Sequence, residues 1–169
     1  KNNFVISSMK QAKLCASNIV SNEPVSFSCD SKVCGKIPSE LSFDRKSAKF
    51  HVIVSPYIQN SANDILHLIP KAFVLGIGCK KGTPVEIIEG RVKEELDKKY
   101  IDIRSIKAMG TIDLKRNETG LIDFAAQKKI PLHFFSAEEL SLLEGDFTPS
   151  KFVSQITGVE NVCERASCM

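Results

Sequence analysis

The chain contains no tryptophan and only two tyrosines among its 169 residues. Proteins that hold single-stranded nucleic acid usually stack its bases on aromatic side chains. Duplex binders need clustered lysine and arginine, whereas here the net charge is only +3 and the basic residues form no stripe. The sequence therefore argues against a nucleic-acid partner.

Long hydrophobic runs are also missing. No stretch approaches the roughly 20 consecutive apolar residues of a membrane-spanning helix, and the first residues lack the pattern of a signal peptide. We therefore expect a cytoplasmic location and no membrane partner. The chain begins with Lys1 rather than methionine and stops at Met169 without a tail, so we expect a piece of a longer protein, truncated at its C-terminus.

The cysteines argue against two further classes of protein, zinc-binding proteins and disulfide-stabilised secreted proteins. None of the six cysteines forms a Cys-x-x-Cys pair, and the three histidines do not stand at zinc-finger spacing. Without a secretory signal, free thiols in a reducing compartment are the better interpretation, and we expect no metal site in the protein. The cysteines are Cys15, Cys29, Cys34, Cys79, Cys163 and Cys168.

Residues 71–169 alternate between short apolar runs and amphipathic segments. This alternation predicts an α/β domain with three layers (α/β/α) and a mainly parallel sheet. Expected strands lie at 72–77, 107–112 and 132–135, and expected helices at 84–99, 119–129, 137–143, 148–158 and 160–168.

Residues 1–70 are less regularly patterned and predict a smaller α/β segment followed by a linker. A sustained apolar stripe indicates one helix, and two runs of β-favouring residues indicate strands. The expected elements are a helix at 5–20, strands at 24–29 and 50–54, a loop at 30–47, and a linker or short helix at 57–70.

A glycine-rich loop follows the first strand of the second domain. Thr83 can cap the next helix, with Pro84 at its first position and Glu86 completing a capping box. Backbone N–H groups, a helix dipole and two lysines then meet at one turn, which favours an anionic ligand. The candidate binding residues are Gly76, Gly78, Cys79, Lys80, Lys81, Gly82 and Thr83.

The loop does not fit the common phosphate motifs. Five residues separate Gly76 from Gly82, and no lysine follows Gly82 directly, as a Walker loop requires. Lys81 stands where the third glycine of a dinucleotide motif belongs. A carboxylate-bearing ligand is therefore favoured over a nucleotide, and a tight turn with two solvated lysines stays open as an alternative.

A second charged loop follows the next strand. Lys115 and Arg116 can bind an acidic substrate there, with Asp113 or Glu118 as general base. The alternative is a solvated turn in which Asp113 only caps the backbone. Because this strand and the preceding one are predicted to run parallel, both loops should lie at the same edge of the sheet.

Two further groups have a functional and a structural interpretation. Cys79 precedes a predicted helix start beside lysines, where a thiolate is favoured, but no histidine partner is evident. Glu164 and Arg165 can add an acid and a cation to the site. They are adjacent, so they do not face each other on a helix, and a buried ion-pair role is equally open.

Four short motifs occur in order along the second domain, and together the chain resembles the CbiG/CobE family of cobalamin biosynthesis. The last motif departs from the usual family form only in Ser167, where a second alanine is usual. The motifs are Gly76-Ile77-Gly78-Cys79-Lys80-Lys81-Gly82, Thr111-Ile112-Asp113-Leu114-Lys115, Phe134-Phe135-Ser136-Ala137-Glu138-Glu139-Leu140 and Gly158-Val159-Glu160-Asn161-Val162-Cys163-Glu164-Arg165-Ala166.

The resemblance implies the central segment and C-terminal domain of CbiG, which acts in the anaerobic route of cobalamin synthesis. CbiG hydrolyses the δ-lactone of cobalt-precorrin-5A and releases acetaldehyde, giving cobalt-precorrin-5B. Cobalt would then belong to the corrinoid substrate, no protein cofactor would be needed, and other cobalamin-pathway enzymes would be the further partners. The fragment alone would depend on the missing N-terminal domain if that domain completes the site.

The residue chemistry agrees with such a substrate. A tetrapyrrole rich in acetate and propionate groups suits a basic, helix-capped loop, and lactone opening needs an activated water and a stabilised oxyanion. Asp113 or Glu118 would be the base, and Lys115 or loop N–H groups would hold the oxyanion. Two alternatives stay open: a module that only binds or carries the corrinoid intermediate, and a generic nucleotide-binding α/β module.

Overall fold

The computed structural model describes residues 4–30, 38–60 and 62–169, and its contacts divide the chain into two compact units. The first unit comprises Lys1–Lys71 and Tyr100–Ser105, and the second comprises Ala72–Lys99 and Ile106–Met169. The chain therefore leaves the first unit after Lys71, returns to it for six residues and leaves it again. Cys34, expected as a free thiol, lies outside the described residues.

The first unit is built on a five-stranded sheet in the order β1-β5-β4-β2-β3. Only β1 is antiparallel to its neighbour, and the other three pairings are parallel. Its elements are β1 (Phe4–Ile6), α1 (Met9–Val20), β2 (Val25–Cys29), β3 (Leu41–Ser42), β4 (Phe50–Val54) and β5 (Ile65–Pro70).

A small apolar core holds α1 against this sheet. Ser8 begins the helix by accepting a hydrogen bond from the Gln11 backbone N–H over 3.3 Å. Cys15 on the helix is buried with residues of the three central strands, so it serves as a small apolar core residue. The buried residues of this cluster are Cys15, Val25, Phe50, Val52 and Leu66.

The expectations for residues 1–70 are partly wrong. The helix begins at Met9 rather than residue 5, because Phe4–Ile6 pairs as a strand with the end of β5. Residues expected as a linker or short helix contain β5, whose nearly continuous apolar run fits a strand between two neighbours. Within the expected loop at 30–47, Leu41–Ser42 pairs with β2. The predicted strand at 50–54 is confirmed.

The second unit has a parallel three-stranded sheet in the order β6-β7-β8, covered by helices. The predicted α/β class with a mainly parallel sheet is therefore confirmed. Short 3₁₀ turns at Ile103–Ser105, in the first unit, and Asp113–Lys115 precede and follow β7. The elements are β6 (Phe73–Gly76), α2 (Val85–Lys98), β7 (Ile106–Ile112), α3 (Thr119–Lys128), β8 (Leu132–Phe135), α4 (Ala137–Ser141), α5 (Lys151–Thr157) and α6 (Cys163–Cys168).

Helix α6 packs directly on β6 and β7, and two glycines make this approach possible. A Cβ atom added to Gly76 would lie 1.7 Å from the Cys163 carbonyl oxygen, and one added to Gly110 would lie 2.3 Å from that of Ala166. Side chains alternate along a strand, so Thr111 points to the face opposite Gly110. On the face of the sheet that contains Gly76 and Gly110, the backbone of α6 therefore lies directly against the strands.

Several helix ends differ from the expectation. Pro84, not Thr83, is the N-cap of α2, and the Thr83 hydroxyl instead donates to the Lys80 carbonyl over 2.7 Å. Helix α5 begins after Ser150, whose side chain caps it, and α6 begins at Cys163 rather than residue 160. The expected capping box of α4 is present. No helix of the described residues has the length and apolar character to cross a membrane.

Candidate functional site

A cavity of about 580 Å³ lies in the second unit, at the carboxyl ends of β6 and β7. The carboxyl edge of a parallel sheet is where ligands bind in open α/β folds. Three parts of the chain form it: the glycine-rich loop, the end of β7 with its 3₁₀ turn, and the region from α5 to α6. The lining residues are Gly78, Cys79, Lys80, Lys81, Thr111, Ile112, Lys115, Val153, Ile156, Thr157, Val162 and Cys163.

The structure brings five of the candidate residues together in this cavity. Gly78, Cys79, Lys80 and Lys81 come from the loop after β6, and Lys115 comes from the turn after β7. Three ammonium groups therefore border one cavity. This arrangement can bind more than one carboxylate of the same ligand, because each lysine offers up to three hydrogen-bond donors.

Glu118 lies outside the cavity lining and holds the loop in place. Its Oε2 accepts a hydrogen bond from the Gly82 backbone N–H over 2.7 Å, and its Oε1 lies 3.6 Å from Lys115 Nζ. The residue is only 9 % exposed. Gly82 itself has a φ of +71°, which favours glycine. Glu118 thus links the loop, the N-terminus of α3 and one cavity lysine.

Asp113 also lies outside the lining, although its neighbours Ile112 and Lys115 belong to it. The residue is half-buried and opens the 3₁₀ turn. Its carbonyl oxygen accepts the Arg116 N–H over 3.0 Å. Within the described part of the chain, its carboxylate has no hydrogen bond or ion pair, so this group is chemically uncommitted.

Glu164 and Arg165 do not line the cavity and fasten the surrounding helices. The Arg165 guanidinium donates to the carbonyl oxygens of Leu140, at 3.0 Å, and Leu143, at 2.5 Å. It also stacks 4.4 Å from the centre of the Phe147 ring. A hydrogen bond from the Thr148 backbone N–H lowers the pKa of Glu164 below its ordinary value. Both residues therefore anchor α6 and the segment that follows α4.

The remaining candidates also have other roles. Gly76 provides the close approach of α6, and the Thr83 hydroxyl closes the turn to Lys80. Arg116 is exposed, and its guanidinium lies 5.5 Å from the centre of the Phe134 ring. None of these three belongs to the cavity lining.

Two thiols border the cavity. Burial raises the pKa of both Cys79 and Cys163 above the ordinary thiol value of 9.0, and the nearby Lys115 charge offsets part of this rise for Cys79. Both are therefore neutral thiols at neutral pH. Since the thiolate is the nucleophile, this environment disfavours the Cys79 nucleophile considered from the sequence. The described residues contain no group of three or more His, Cys, Asp or Glu that fits a metal ion.

The sequence interpretation missed the apolar wall of the cavity. Val153 and Ile156 stand three residues apart on one side of α5, and Val162 precedes α6. Ile156 is 60 % exposed, so its side chain is accessible to a ligand in the cavity. The spacing of apolar residues was a signal, but it does not reveal which side of a short helix faces solvent. The cavity is therefore amphipathic, with lysines on one side and aliphatic groups on the other.

A smaller cavity of about 230 Å³ lies within the first unit and is mostly polar. Asp102 is 8 % exposed and both its oxygens pair with Arg104, at 3.0 and 2.7 Å. Burial alone would raise the pKa of Asp102, but the hydrogen bonds and charge of Arg104 hold it below its ordinary value. The cavity is lined by Ser7, Gln11, Ile58, Gln59, Asn60, Ile65, His67, Asp102 and Arg104.

Comparison with known families gives a match over the second unit. Residues 73–169 match the family model described as Cobalamin synthesis G C-terminus, CbiG_C. This match covers more than half of the chain and includes every residue that lines the larger cavity.

Curated relatives and a solved structure agree with this match. The cobalt-precorrin-5A hydrolase of Salmonella typhimurium strain LT2 is 36 % identical over 95 residues, 56 % of this chain and 27 % of that protein. The protein of the same name from Priestia megaterium is 32 % identical over 100 residues, 59 % of this chain and 26 % of that protein. The matched part therefore spans about a quarter of the length of these relatives.

A crystal structure of CobE, a protein from the cobalamin (vitamin B12) biosynthetic pathway, is also similar. It superposes with a TM-score of 0.53 and 29 % identity, over 56 % of this chain and 68 % of CobE. The similarity supports both the fold and the family match of the second unit.

Proposed function

The chain belongs to the family of the cobalamin synthesis G C-terminus, and from this premise we propose that it takes part in hydrolysing cobalt-precorrin-5A within a longer protein. The reaction opens the δ-lactone of the corrinoid, releases acetaldehyde and gives cobalt-precorrin-5B. Cobalt is part of the substrate, so the protein needs no cofactor of its own. The cytoplasm is the expected location, and other cobalamin-pathway enzymes are the expected partners.

The amphipathic cavity is the observation that carries this proposal. A cobalt corrinoid at this stage combines a hydrophobic macrocycle rim with acetate and propionate side chains. Val153, Ile156 and Val162 can contact the rim, while the ammonium groups of Lys80 and Lys81 can pair with carboxylates. A nucleotide phosphate would not require the aliphatic wall.

The proposed chemistry uses the turn after β7. Asp113 is the proposed general base, because its carboxylate is uncommitted and the residue lies in sequence between the cavity residues Ile112 and Lys115. It would take a proton from the water that attacks the lactone carbonyl. Lys115 or the loop N–H groups would stabilise the oxyanion that forms on that carbonyl. Glu118, a second candidate base, is engaged by Gly82 and Lys115.

The test is an anaerobic incubation of the full-length protein with cobalt-precorrin-5A, followed by an assay for acetaldehyde. The wild-type protein should release acetaldehyde. Asp113→Asn should reduce kcat by about 100-fold or more, the usual size of a general-base effect, with little change in corrinoid affinity. Full activity of Asp113→Asn would remove the catalytic role of Asp113, and absence of acetaldehyde from the wild-type protein would remove the hydrolase proposal.

One observation favours a second candidate function, in which this part of the protein only binds the corrinoid. No carboxylate side chain belongs to the lining of the larger cavity, so the base would have to come from elsewhere. Visible absorbance of a corrinoid mixed with the chain would then change on binding without turnover. Turnover that is lost in Asp113→Asn but retained in Glu118→Gln would argue against this binding-only role.

A further inference from the structure

Thr111 is a buried threonine in the wall of the larger cavity. Thr111 is 0 % exposed. Its hydroxyl oxygen, Oγ1, is buried and has no hydrogen-bond partner among the described residues. Leaving a buried polar group unpaired is unfavourable. Valine has nearly the same shape and would avoid this penalty. Because Thr111 lines the cavity, a ligand bound there would supply the missing acceptor.

Only one other described side chain has a buried polar atom without a partner. This atom is Nε of Arg165, and Arg165 is not part of the cavity lining. Its guanidinium is already held by two carbonyl oxygens. These two hydrogen bonds fix the position of the guanidinium and explain why its Nε is left unpaired. Among the described residues, no such hydrogen bond fixes the Thr111 hydroxyl.

Lys115 lines the same cavity and follows Thr111 closely along the chain. Its side chain is only 21 % exposed, and its ion pair with Glu118 is long, at 3.6 Å. The second oxygen of Glu118 is taken by the Gly82 N–H. The ammonium group of Lys115 therefore keeps donors for a ligand and stands in a partly desolvated position, where a charge-assisted hydrogen bond is strong.

We propose that the Thr111 hydroxyl and the Lys115 ammonium bind one carboxylate of the ligand together, at the sheet edge of the cavity. The proposal rests on the proposed function, since the ligand class is a corrinoid with free acetate and propionate groups. Thr111 donates one hydrogen bond through its hydroxyl, and Lys115 supplies the charge. Lys80 and Lys81 then serve the other carboxylates.

Thr157 provides a matched control. It lines the same cavity, but its hydroxyl already has an acceptor within the protein. It donates to the Val153 carbonyl oxygen over 2.8 Å, with the Val159 carbonyl oxygen at 3.0 Å. Replacing Thr157 by valine also converts a hydroxyl of the lining into a methyl group, but the hydroxyl it removes is bonded within the protein.

The experiment measures corrinoid affinity by visible absorbance in the full-length protein, with two probes. The first probe is cobyrinic acid, a cobalt corrinoid with free carboxylates, and the second is its fully methylated ester. For cobyrinic acid, Thr111→Val should raise Kd by about 5- to 50-fold, the usual range for losing a hydrogen bond to a charged group. Thr111→Ser should stay within about threefold of the wild type, and any loss of affinity in Thr157→Val should be the same for both probes, because its hydroxyl is bonded within the protein.

The ester probe separates carboxylate binding from macrocycle binding. An ester carbonyl accepts weaker hydrogen bonds and carries no charge, so Thr111→Val should change its Kd by less than about threefold. A double-mutant cycle with Lys115→Met tests whether both residues act on one group. The combined loss for cobyrinic acid should be smaller than the product of the single losses, because neighbouring groups that share a partner are not additive.

Thermal unfolding gives a readout that does not depend on the ligand. Thr111→Val should melt at the same temperature as the wild type or higher, since an unpaired buried hydroxyl is removed. A clearly lower melting temperature would mean that the hydroxyl bonds within the protein, and would overturn the proposal. Wild-type affinity of Thr111→Val for cobyrinic acid would also overturn it while corrinoid binding stands. If the wild-type protein binds neither probe, the proposed function and this inference both fail.

Discussion

The backbone N–H of Gly82 donates a hydrogen bond to the Glu118 carboxylate over 2.7 Å. This bond joins the glycine-rich loop to the N-terminus of α3. Nearby, a Cβ atom added to Gly120 would lie 2.2 Å from the Thr83 carbonyl oxygen, so the helix and the loop are in close backbone contact. The lysines of the loop are therefore positioned by α3 rather than by the sheet alone.

The first prediction separates a structural from a catalytic role for Glu118. Glu118→Ala should lower the free energy of unfolding by about 1–3 kcal/mol, because it leaves the Gly82 N–H without its charged acceptor. Glu118→Gln keeps an acceptor oxygen and should lose less. Chemical denaturation of both variants provides the measurement. A folded Glu118→Gln protein that binds corrinoid but has lost all turnover would instead make Glu118 the base.

The second prediction concerns the glycine face beneath α6. Gly76→Ala and Gly110→Ala should each prevent native packing of the second unit, because the new methyl group would overlap a backbone carbonyl of α6. Backbone atoms cannot move aside as a flexible side chain does. The expected result is a fall in melting temperature or a failure to fold, measured by thermal unfolding.

Gly90 is the control for this pair of variants. It lies on the exposed side of α2, with no atom within 4 Å of an added Cβ. Gly90→Ala should raise stability by about 0.5–1 kcal/mol, since alanine loses less backbone entropy in a helix. Equal effects at Gly90 and Gly110 would contradict the close packing described for α6.

The third prediction tests the loop lysines. Replacing Lys80 and Lys81 together by alanine should weaken cobyrinic acid binding by about tenfold or more, because two charge-assisted hydrogen bonds are lost. Stability should change by less than about 1 kcal/mol, since lysines near solvent contribute little to folding. Lys93→Ala, on the exposed surface of α2, should leave affinity unchanged. An equal loss of affinity with Lys93→Ala would indicate a nonspecific charge effect.

The fourth prediction is a pH dependence in the first unit. Arg104 keeps the pKa of Asp102 below its ordinary value in the folded protein, so the ionised carboxylate stabilises the fold above the unfolded-state pKa of about 3.9. This contribution is lost as the pH falls through the lower folded-state pKa. Asp102→Asn should therefore be less stable than the wild type near neutral pH, by about 1–2 kcal/mol.

Unfolding measured over a range of pH tests whether the charge of Asp102 is responsible. The difference between wild type and Asp102→Asn should shrink when unfolding is measured below about pH 4. Asp97→Asn, at an exposed position near the end of α2, should show no such trend. A difference that stays constant from neutral to acidic pH would show that the carboxylate charge is not responsible.

Much of the second unit was readable from the sequence. The strand at 132–135 and the capping box at Ser136 are confirmed as predicted, because strong local signals coincide there with the tertiary packing. The family resemblance, carried by four motifs, is also confirmed. The Thr83 capping box is wrong because the helix begins one residue later, with Pro84 as its N-cap, and the threonine hydroxyl donates to the Lys80 carbonyl oxygen instead.

The first unit was harder to predict for a physical reason. Strand β1 has only three residues and exists through its pairing with β5, so neither strand is specified by local pattern alone. For the candidate site, the sequence indicated both basic loops that line the cavity but not the wall from α5. That wall depends on how a seven-residue helix is placed against the rest of its unit, and its own apolar spacing does not determine this placement.

The return of Tyr100–Ser105 to the first unit sets a limit on how this protein can be divided. The chain passes between the two units three times, so no single cut separates them into two complete pieces. A proteolytic nick near Lys71 would leave the first unit lacking six of its own residues, which would stay covalently attached to the second. Limited proteolysis at that point would therefore yield two fragments that stay associated through the contacts of Tyr100–Ser105 within the first unit, such as the pairing of Ile101 with Tyr57.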